Sequence, residues 1–366
     1  MTKKINSLQY LRAIAAILVV YTHCLSFVGS GKSFQASFYH LKSFGAIGVD
    51  IFFVISGFII SYVSVTMNGV QDALTFIKKR FVRINPNYYI ASLLALILRL
   101  ISKPNESLPI DEIWMSIAIV PLFIPETGIW KPVLYVGWTL AYEWLFYFVF
   151  AILISVSIRQ KRLLLIIIFF ITSLAGIFLP FANIQYNFIA NPLVLEFCLG
   201  VFIASLLIKT GGKINIYYPV FSIVTGLIWY VMIIIYGYGF YDATPTSLNL
   251  INYWNRFFVW GVPSAMIVFG MIFLEQQGKI SCENKIFLLL GDASFSIYLI
   301  HTIFISFLNK FFNYVKFIPL DILVICAVVM GTIISVTYYK LVEVSLLQYF
   351  NSIFFKKQKK IITNTI

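Results

Sequence analysis

Eight ionisable side chains fall inside long apolar stretches of this sequence. A charge at the centre of a bilayer costs at least about 2.5–3.5 kcal/mol on insertion scales, so such a residue usually faces the protein interior and serves a function. A histidine at hydrogen-bond distance from a carboxylate makes a general base with an orienting partner. The eight residues are Arg12, His23, Asp50, Glu143, Glu196, His301, Lys340 and Glu343.

Arg12 and His23 lie on one apolar stretch and are separated by eleven positions. At about 100° and 1.5 Å per residue, both side chains leave nearly the same helix face, with His23 about 16 Å further across the membrane. Taken singly, Arg12 could be a snorkelling anchor and His23 a packing histidine. Together on one face, they favour a shared path across the protein.

The stretches that carry these residues have the composition of membrane helices. The 366-residue chain is 60% hydrophobic and only 11% charged, with a mean hydropathy of +0.91, whereas a soluble domain has about 25% charged residues. Apolar runs of about 20 residues recur, each long enough to cross a bilayer. They lack the alternation of barrel strands, so the sequence predicts an all-α, polytopic membrane helix bundle.

Ten spans are expected, forming a single transmembrane domain over 1–350 with a basic cytoplasmic tail at 351–366. The acidic segment 111–125 is too short for a confident further span and is interpreted as interfacial or re-entrant. The ten predicted spans are 8–29, 44–66, 86–102, 134–157, 163–180, 189–208, 217–236, 256–274, 286–308 and 319–346.

The distribution of Lys and Arg predicts the orientation of these spans. The net charge is +13, and the excess is concentrated in alternate loops, including 78–83 and 356–360. The positive-inside rule then places both termini in the cytoplasm. We therefore expect a multi-pass protein of the cytoplasmic (inner) membrane, and we attribute the positive charge to topology rather than to a nucleic-acid partner.

This topology puts five of the ionisable residues in the outer half of the membrane. If they meet there, His23 could act as a base oriented by a carboxylate, with Glu196 either a member of the site or only a structural partner. The four cysteines are scattered and no His/Asp cluster has ligand spacing, so no metal is expected. The five outer-half residues are His23, Asp50, Glu143, Glu196 and His301.

On the cytoplasmic side, the predicted loop 78–86 carries four cations within six positions. One interpretation is ordinary topology or anionic lipid binding. The other is a phosphate-binding site, because arginine offers bidentate donors to phosphate oxygens. Coenzyme A carries three phosphates and would suit such a site.

Five motifs, taken in order, resemble the acyltransferase-3 family of integral membrane acyltransferases. The first is the arginine–histidine spacing of Arg12 and His23, and the resemblance extends over all ten spans. The segments 142–143 and 191–197 are most similar to the branch that acetylates exopolysaccharides. The other four motifs are GVDIFFVISGF (48–58), RFVRINP (80–86), GWTLAYEWLFY (137–147) and SFSIYLIH (294–301).

The resemblance implies transfer of an acyl group, usually acetyl from acetyl-CoA, to a hydroxyl of an exopolysaccharide or another cell-envelope glycan. Acyl-CoA would be a co-substrate, and no permanently bound cofactor is implied. The acceptor would be a glycan or a lipid-linked sugar, and the lipid bilayer is the remaining partner.

On this basis the cytoplasmic cations are expected to hold the donor. Lys79, Arg80 and Arg83 would bind its phosphates, and Arg12 would orient the pantetheine arm or a phosphate. His23 would act as a general base on a sugar hydroxyl, or alternatively as a nucleophile that carries the acyl group.

Five further side chains are expected to act around His23. Asp50 or Glu143 would orient its ring. Trp138, Tyr142 and His301 would bind the substrate, by donating a hydrogen bond to the tetrahedral oxyanion or by stacking on the sugar.

Two other classes of protein are compatible with part of the pattern. A transporter or flippase for a sugar or lipid-linked glycan would also contain buried carboxylates and histidines, but it would not need the arginine segment together with the Arg12–His23 spacing. A structural or lipid-binding membrane protein leaves the intramembrane charges unexplained.

Overall fold

The computed structural model describes residues 5–28, 44–105, 107–118, 132–158, 160–179, 184–237, 250–311 and 319–355. These residues form helices and connecting turns, and no strand occurs among them. The all-α class is therefore confirmed. The α-helices are α1 (Asn6–Val28), α2 (Ile47–Val63), α3 (Val70–Ser102), α4 (Ile110–Ala118), α5 (Trp138–Ser155), α6 (Lys161–Phe178), α7 (Ile184–Ile189), α8 (Val194–Thr210), α9 (Tyr217–Tyr236), α10 (Leu250–Arg256), α11 (Val262–Gln276), α12 (Lys285–Asp292), α13 (Ser294–Phe311), α14 (Leu320–Tyr338) and α15 (Val344–Phe354).

Each of the ten predicted spans coincides with helix in the described part of the chain. Eight coincide with helical segments that are long and apolar enough to cross a membrane. The second predicted span contains α2, which has 17 residues and therefore lies at the lower limit of a crossing helix. The ninth is a pair of helices, α12 and α13, that meet at an angle of 69°. Sequence periodicity did not predict this bend.

The predicted cytoplasmic loop 78–86 is wrong, because these residues lie inside α3. The helix begins after Gly69, whose φ of +84° suits glycine, and continues through Pro86 to Ser102. Pro86 costs one backbone hydrogen bond but does not end the helix. Its first 16 residues therefore extend about 24 Å before Pro86, and the basic side chains are held by a rigid element.

The segment 111–125 is described only as far as residue 118. There it is the nine-residue helix α4, too short to cross a bilayer. Trp114 on α4 is 65% exposed, and Glu112 forms an ion pair with Arg99 of α3. Residues 119–125 lie outside the described part of the chain, as do residues 356–366 of the predicted tail.

Two wide π-turns interrupt the helices in the second half of the chain. The first, Phe257–Gly261, joins α10 to α11, and the second, Tyr339–Glu343, joins α14 to α15. Arg256 immediately precedes the first π-turn, and Glu343 is the last residue of the second. Single π-turns often occur at functional sites, because they change the direction in which side chains point.

Helices α2 and α8 approach each other until their backbones touch. A Cβ atom added to Gly57 would lie 2.0 Å from the carbonyl oxygen of Phe197, and one added to Gly200 would lie 2.0 Å from that of Val54. Small residues let two membrane helices approach until their backbones touch. This contact fixes the register of α2 against α8, and with it the relative depth of Asp50 and Glu196.

We expect Gly57→Ala to destabilise the protein by about 1–3 kcal/mol, because the added methyl group overpacks the backbone contact. The loss should appear as a lower melting temperature in detergent. Gly331→Ala is the matched control, because the atom nearest to its added methyl group is a side-chain carbon of Phe304 at 3.0 Å rather than a backbone oxygen at 2.0 Å. Equal melting temperatures for the two variants would contradict the close contact.

Candidate active site

A cavity of about 220 Å³ lies between α1, α2, α3, α5 and α13. Its walls are largely apolar, with three arginines and one carboxylate among the lining side chains. The charged and polar lining residues are Arg12, Ser56, Arg80, Arg83, Thr139, Glu143, Tyr147, Ser294 and Tyr298.

The three arginines reach the cavity from two helices. Arg80 and Arg83 stand one turn apart on α3, and Arg12 comes from α1. Arg12 and Arg83 are close enough for their like charges to repel. A cavity lined by three cations favours an anionic ligand. Lys79, predicted to share this role, is exposed and is not among the described lining residues.

The last helices hold one of these arginines in place. Glu343 accepts a hydrogen bond from Nη1 of Arg83 at 2.7 Å and another from Asn87 at 3.2 Å. The hydroxyl of Ser296 donates to the same carboxylate. Glu343 is 0% exposed, so its charge is balanced inside the protein. Arg83 is thereby oriented at the cavity wall.

Arg80 is positioned by aromatic rings rather than by a carboxylate. Its guanidinium lies 5.4 Å from the ring centre of Phe76 and 5.9 Å from that of Tyr147. Contacts of this kind stabilise an arginine without neutralising its charge. Arg80 therefore keeps its positive charge beside the cavity.

Glu143 also lines the cavity and is hydrogen-bonded to its neighbours. Its Oε1 accepts a hydrogen bond from the hydroxyl of Ser56 at 2.6 Å and another from Tyr147 at 2.9 Å. The predicted role of Glu143 in orienting His23 is therefore not what the structure shows. Depth in the membrane placed the two residues near each other, but the angular positions of their helices send Glu143 to Ser56.

Asp50 is likewise committed elsewhere. It accepts two hydrogen bonds from Arg256, from Nε at 3.0 Å and from Nη2 at 2.8 Å, and both side chains are 0% exposed. Glu196, also fully buried, interacts electrostatically with both. The structure does not bring Asp50 to His23, since the Asp50 carboxylate neutralises a buried arginine.

The polar partner of His23 is His301. Nδ1 of His23 lies 3.2 Å from Nε2 of His301, and the ring centres are 4.9 Å apart. Each Nδ1 also contacts a backbone carbonyl one turn earlier, that of Val19 at 2.9 Å and that of Ile297 at 2.8 Å. His301 is fully buried and His23 is partly exposed. The structure brings His301 to His23 with its ring enclosed, and its predicted contact with the substrate stays a prediction.

Tyr298 connects the histidine pair to the cavity. It lines the cavity, and its ring centre lies 6.1 Å from that of His301. Its hydroxyl is 3.0 Å from that of Thr139 and donates to the carbonyl of Val136 at 3.1 Å. The cavity and the pair therefore share one wall.

Trp138 and Tyr142 lie in the protein core. Trp138 is 4% exposed and Tyr142 is 0% exposed, and both rings pack against Phe53. Neither belongs to the described lining of the cavity. The two rings serve as packing residues of the core here, and their predicted contact with the substrate stays a prediction.

Several residues of the site were not predicted from the sequence. Arg256 was not predicted as an intramembrane charge, because it stands at the first position of the predicted span 256–274. Its position between two tryptophans, Trp254 and Trp260, is the sequence pattern that could have indicated its burial. Ser56 and Tyr298 carry no such signal, because neutral hydroxyl groups are common in membrane helices. Among the described residues, no group of three or more His, Cys, Asp or Glu side chains could hold a metal ion.

We expect Arg256→Met to destabilise the protein by about 3–5 kcal/mol, because it leaves Asp50 buried without a countercharge. A lower melting temperature in detergent would report the loss, and Arg256→Met/Asp50→Leu should recover part of it. Lys279→Met, which removes a positive charge at an exposed position, serves as the control. If Arg256→Met has the same melting temperature as Lys279→Met, the buried pair does not stabilise the protein.

Comparison with known proteins agrees with this architecture. The acyltransferase domain model of the acyltransferase-3 family matches residues 5–340. The chain is 31% identical over 317 residues to the exopolysaccharide production protein ExoZ of Rhizobium meliloti (strain 1021), covering 84% of this chain and 92% of that protein. It is 22% identical over 329 residues to the acyltransferase MdmB of Streptomyces mycarofaciens, covering 83% and 80%. No solved structure matches. The chain therefore belongs to the acyltransferase-3 family and is a multi-pass membrane acyltransferase.

Proposed function

We propose that the protein is an O-acetyltransferase that moves an acetyl group from acetyl-CoA to a hydroxyl of an exopolysaccharide or another cell-envelope glycan. The observation that carries the proposal is the arrangement of α1 and α13. One end of α1 brings Arg12 to the cationic cavity, and its other end brings His23 to His301 of α13. Anion binding and base chemistry are thus linked by two packed helices.

The cavity suits the phosphates of the donor. Arg80 keeps its charge beside aromatic rings, and Arg83 is oriented by Glu343. The repulsion between Arg83 and Arg12 would be relieved by a bound anion. Phosphates on these three arginines would leave the pantetheine arm to run along α1, which places Arg12 and His23 about 16 Å apart.

The reaction requires one proton acceptor near the thioester. His23 takes the proton of the sugar hydroxyl while the oxygen forms a bond to the thioester carbonyl carbon. The tetrahedral intermediate then collapses, the carbon–sulfur bond breaks, and the thiolate of coenzyme A receives the proton. General base catalysis of this kind contributes about 10²–10⁴-fold to a rate.

The acceptor assignment draws on the relatives. ExoZ is named for exopolysaccharide production, and a sugar hydroxyl is the nucleophile that such a glycan offers. The orientation draws on the positive-inside rule, which puts both termini and the arginine end of the cavity on the cytoplasmic side. Acetyl-CoA would then enter from the cytoplasm, and the protein would reside in the cytoplasmic (inner) membrane.

The direct test is transfer of radiolabel from acetyl-CoA to cell-envelope polysaccharide by membranes with matched expression. We expect His23→Ala to lower transfer by at least about 10²-fold, because it removes the base. Arg80→Ala/Arg83→Ala should raise the KM for acetyl-CoA, because it removes two phosphate ligands.

The control for lost positive charge is Lys209→Ala/Lys213→Ala, two exposed lysines outside the described cavity lining. Its KM should equal that of the wild type. Wild-type membranes that transfer no more label than empty membranes would refute acetyl transfer from acetyl-CoA to polysaccharide.

A further inference from the structure

The contacts of the two histidines determine which nitrogen atoms carry protons. Nδ1 of His23 lies 2.9 Å from the carbonyl oxygen of Val19, and Nδ1 of His301 lies 2.8 Å from that of Ile297. A carbonyl oxygen only accepts hydrogen bonds, so a ring nitrogen at this distance must donate. Both Nδ1 atoms therefore carry a hydrogen.

The contact between the two rings then has a direction. A neutral His301 with a hydrogen on Nδ1 has a lone pair on Nε2, which faces the Nδ1–H of His23 at 3.2 Å. The hydrogen of His23 is shared between Val19 and His301 in a three-centre hydrogen bond.

The opposite direction is disfavoured. If Nε2 of His301 donated, His301 would be a cation and Nδ1 of His23 would point a lone pair at the carbonyl of Val19. His301 is 0% exposed, and an unpaired buried charge is costly. The three carboxylates predicted nearby have other partners. Asp50 pairs with Arg256, Glu143 accepts from Ser56, and Glu196 interacts with Asp50 and Arg256.

One basic nitrogen remains in the pair. Nε2 of His23 makes no hydrogen bond to any other described residue, and His23 is partly exposed. We propose that His301 is the positioning residue of the site, which accepts the Nδ1 hydrogen of His23 and thereby makes Nε2 the atom that takes the hydroxyl proton. This inference rests on the acyl transfer proposed above.

In many catalytic triads a carboxylate orients the imidazole and stabilises the imidazolium that forms. His301 would take the place of that carboxylate here. When Nε2 of His23 accepts the proton, the ring becomes positive and its Nδ1–H bond to the lone pair of His301 strengthens. His301 gains no proton in this step. A neutral acceptor also avoids placing another charge inside the membrane.

Two substitutions separate this role from simple packing. His301→Gln keeps a possible acceptor at the distance of Nε2 along the side chain. His301→Asn keeps a donor near the carbonyl of Ile297 but has no atom at the position of Nε2. The Gln variant therefore keeps the contact to His23, whereas the Asn variant keeps only the contact to Ile297.

The measurement is kcat and KM for acetyl-CoA in the full-length protein, with melting temperatures in parallel. We expect His301→Asn to lower kcat by about 10²-fold, with a KM within about threefold of the wild type. His301→Gln should keep kcat within about tenfold of the wild type, because its amide oxygen still accepts.

The outcomes are distinguishable. A wild-type kcat in His301→Asn, or an equal loss of kcat in both variants, would overturn the positioning role, the second result indicating a packing role. An absence of transfer by the wild type would instead refute the proposed function on which the inference rests.

Discussion

The high cost of an uncompensated charge in a membrane governs this structure. Arg83 is neutralised by Glu343 and Arg256 by Asp50, partners that lie 260 and 206 positions away in the sequence. Each pair joins helices from opposite halves of the chain and so fixes how the helices surround the cavity. The cavity is cationic because three arginines line it with one carboxylate, Glu143, and among the described residues an ion pair joins only Arg83 of the three to a carboxylate.

Much of the fold could be predicted from the sequence, because span length and hydropathy are local properties. The apolar runs located helices at all ten predicted spans, eight of them long and apolar enough to cross a membrane, and the spacing of Arg12 and His23 placed both on α1. The partners of the charged residues could not be predicted in this way. Depth along a helix follows from residue number, but the direction in which Asp50 or Glu143 points depends on how helices pack. His301 was recognised as an intramembrane charge, yet its contact with His23 required the structure.

Irregular backbone marks the places where prediction failed. The π-turn Phe257–Gly261 follows Arg256, and the π-turn Tyr339–Glu343 ends at the carboxylate that holds Arg83. The 69° bend between α12 and α13 precedes the helix that carries His301. Each irregularity lies close in sequence to a polar side chain, and the surrounding residues remain apolar. A hydropathy profile therefore cannot reveal the two π-turns or the bend, and it predicts these segments as uninterrupted helices.

The pairing of Arg83 with Glu343 also has a consequence for biosynthesis. Helix α3 leaves the ribosome long before α15, and at about 5–20 residues per second the 260 intervening residues take roughly 10–50 s to synthesise. During that interval Arg83 has no carboxylate partner from the last helices, and the lipid headgroups or water at the membrane surface must solvate it. The arginine that Glu343 orients at the cavity wall is therefore held in place only when the final span has inserted, so a chain truncated before that span would lack this ion pair.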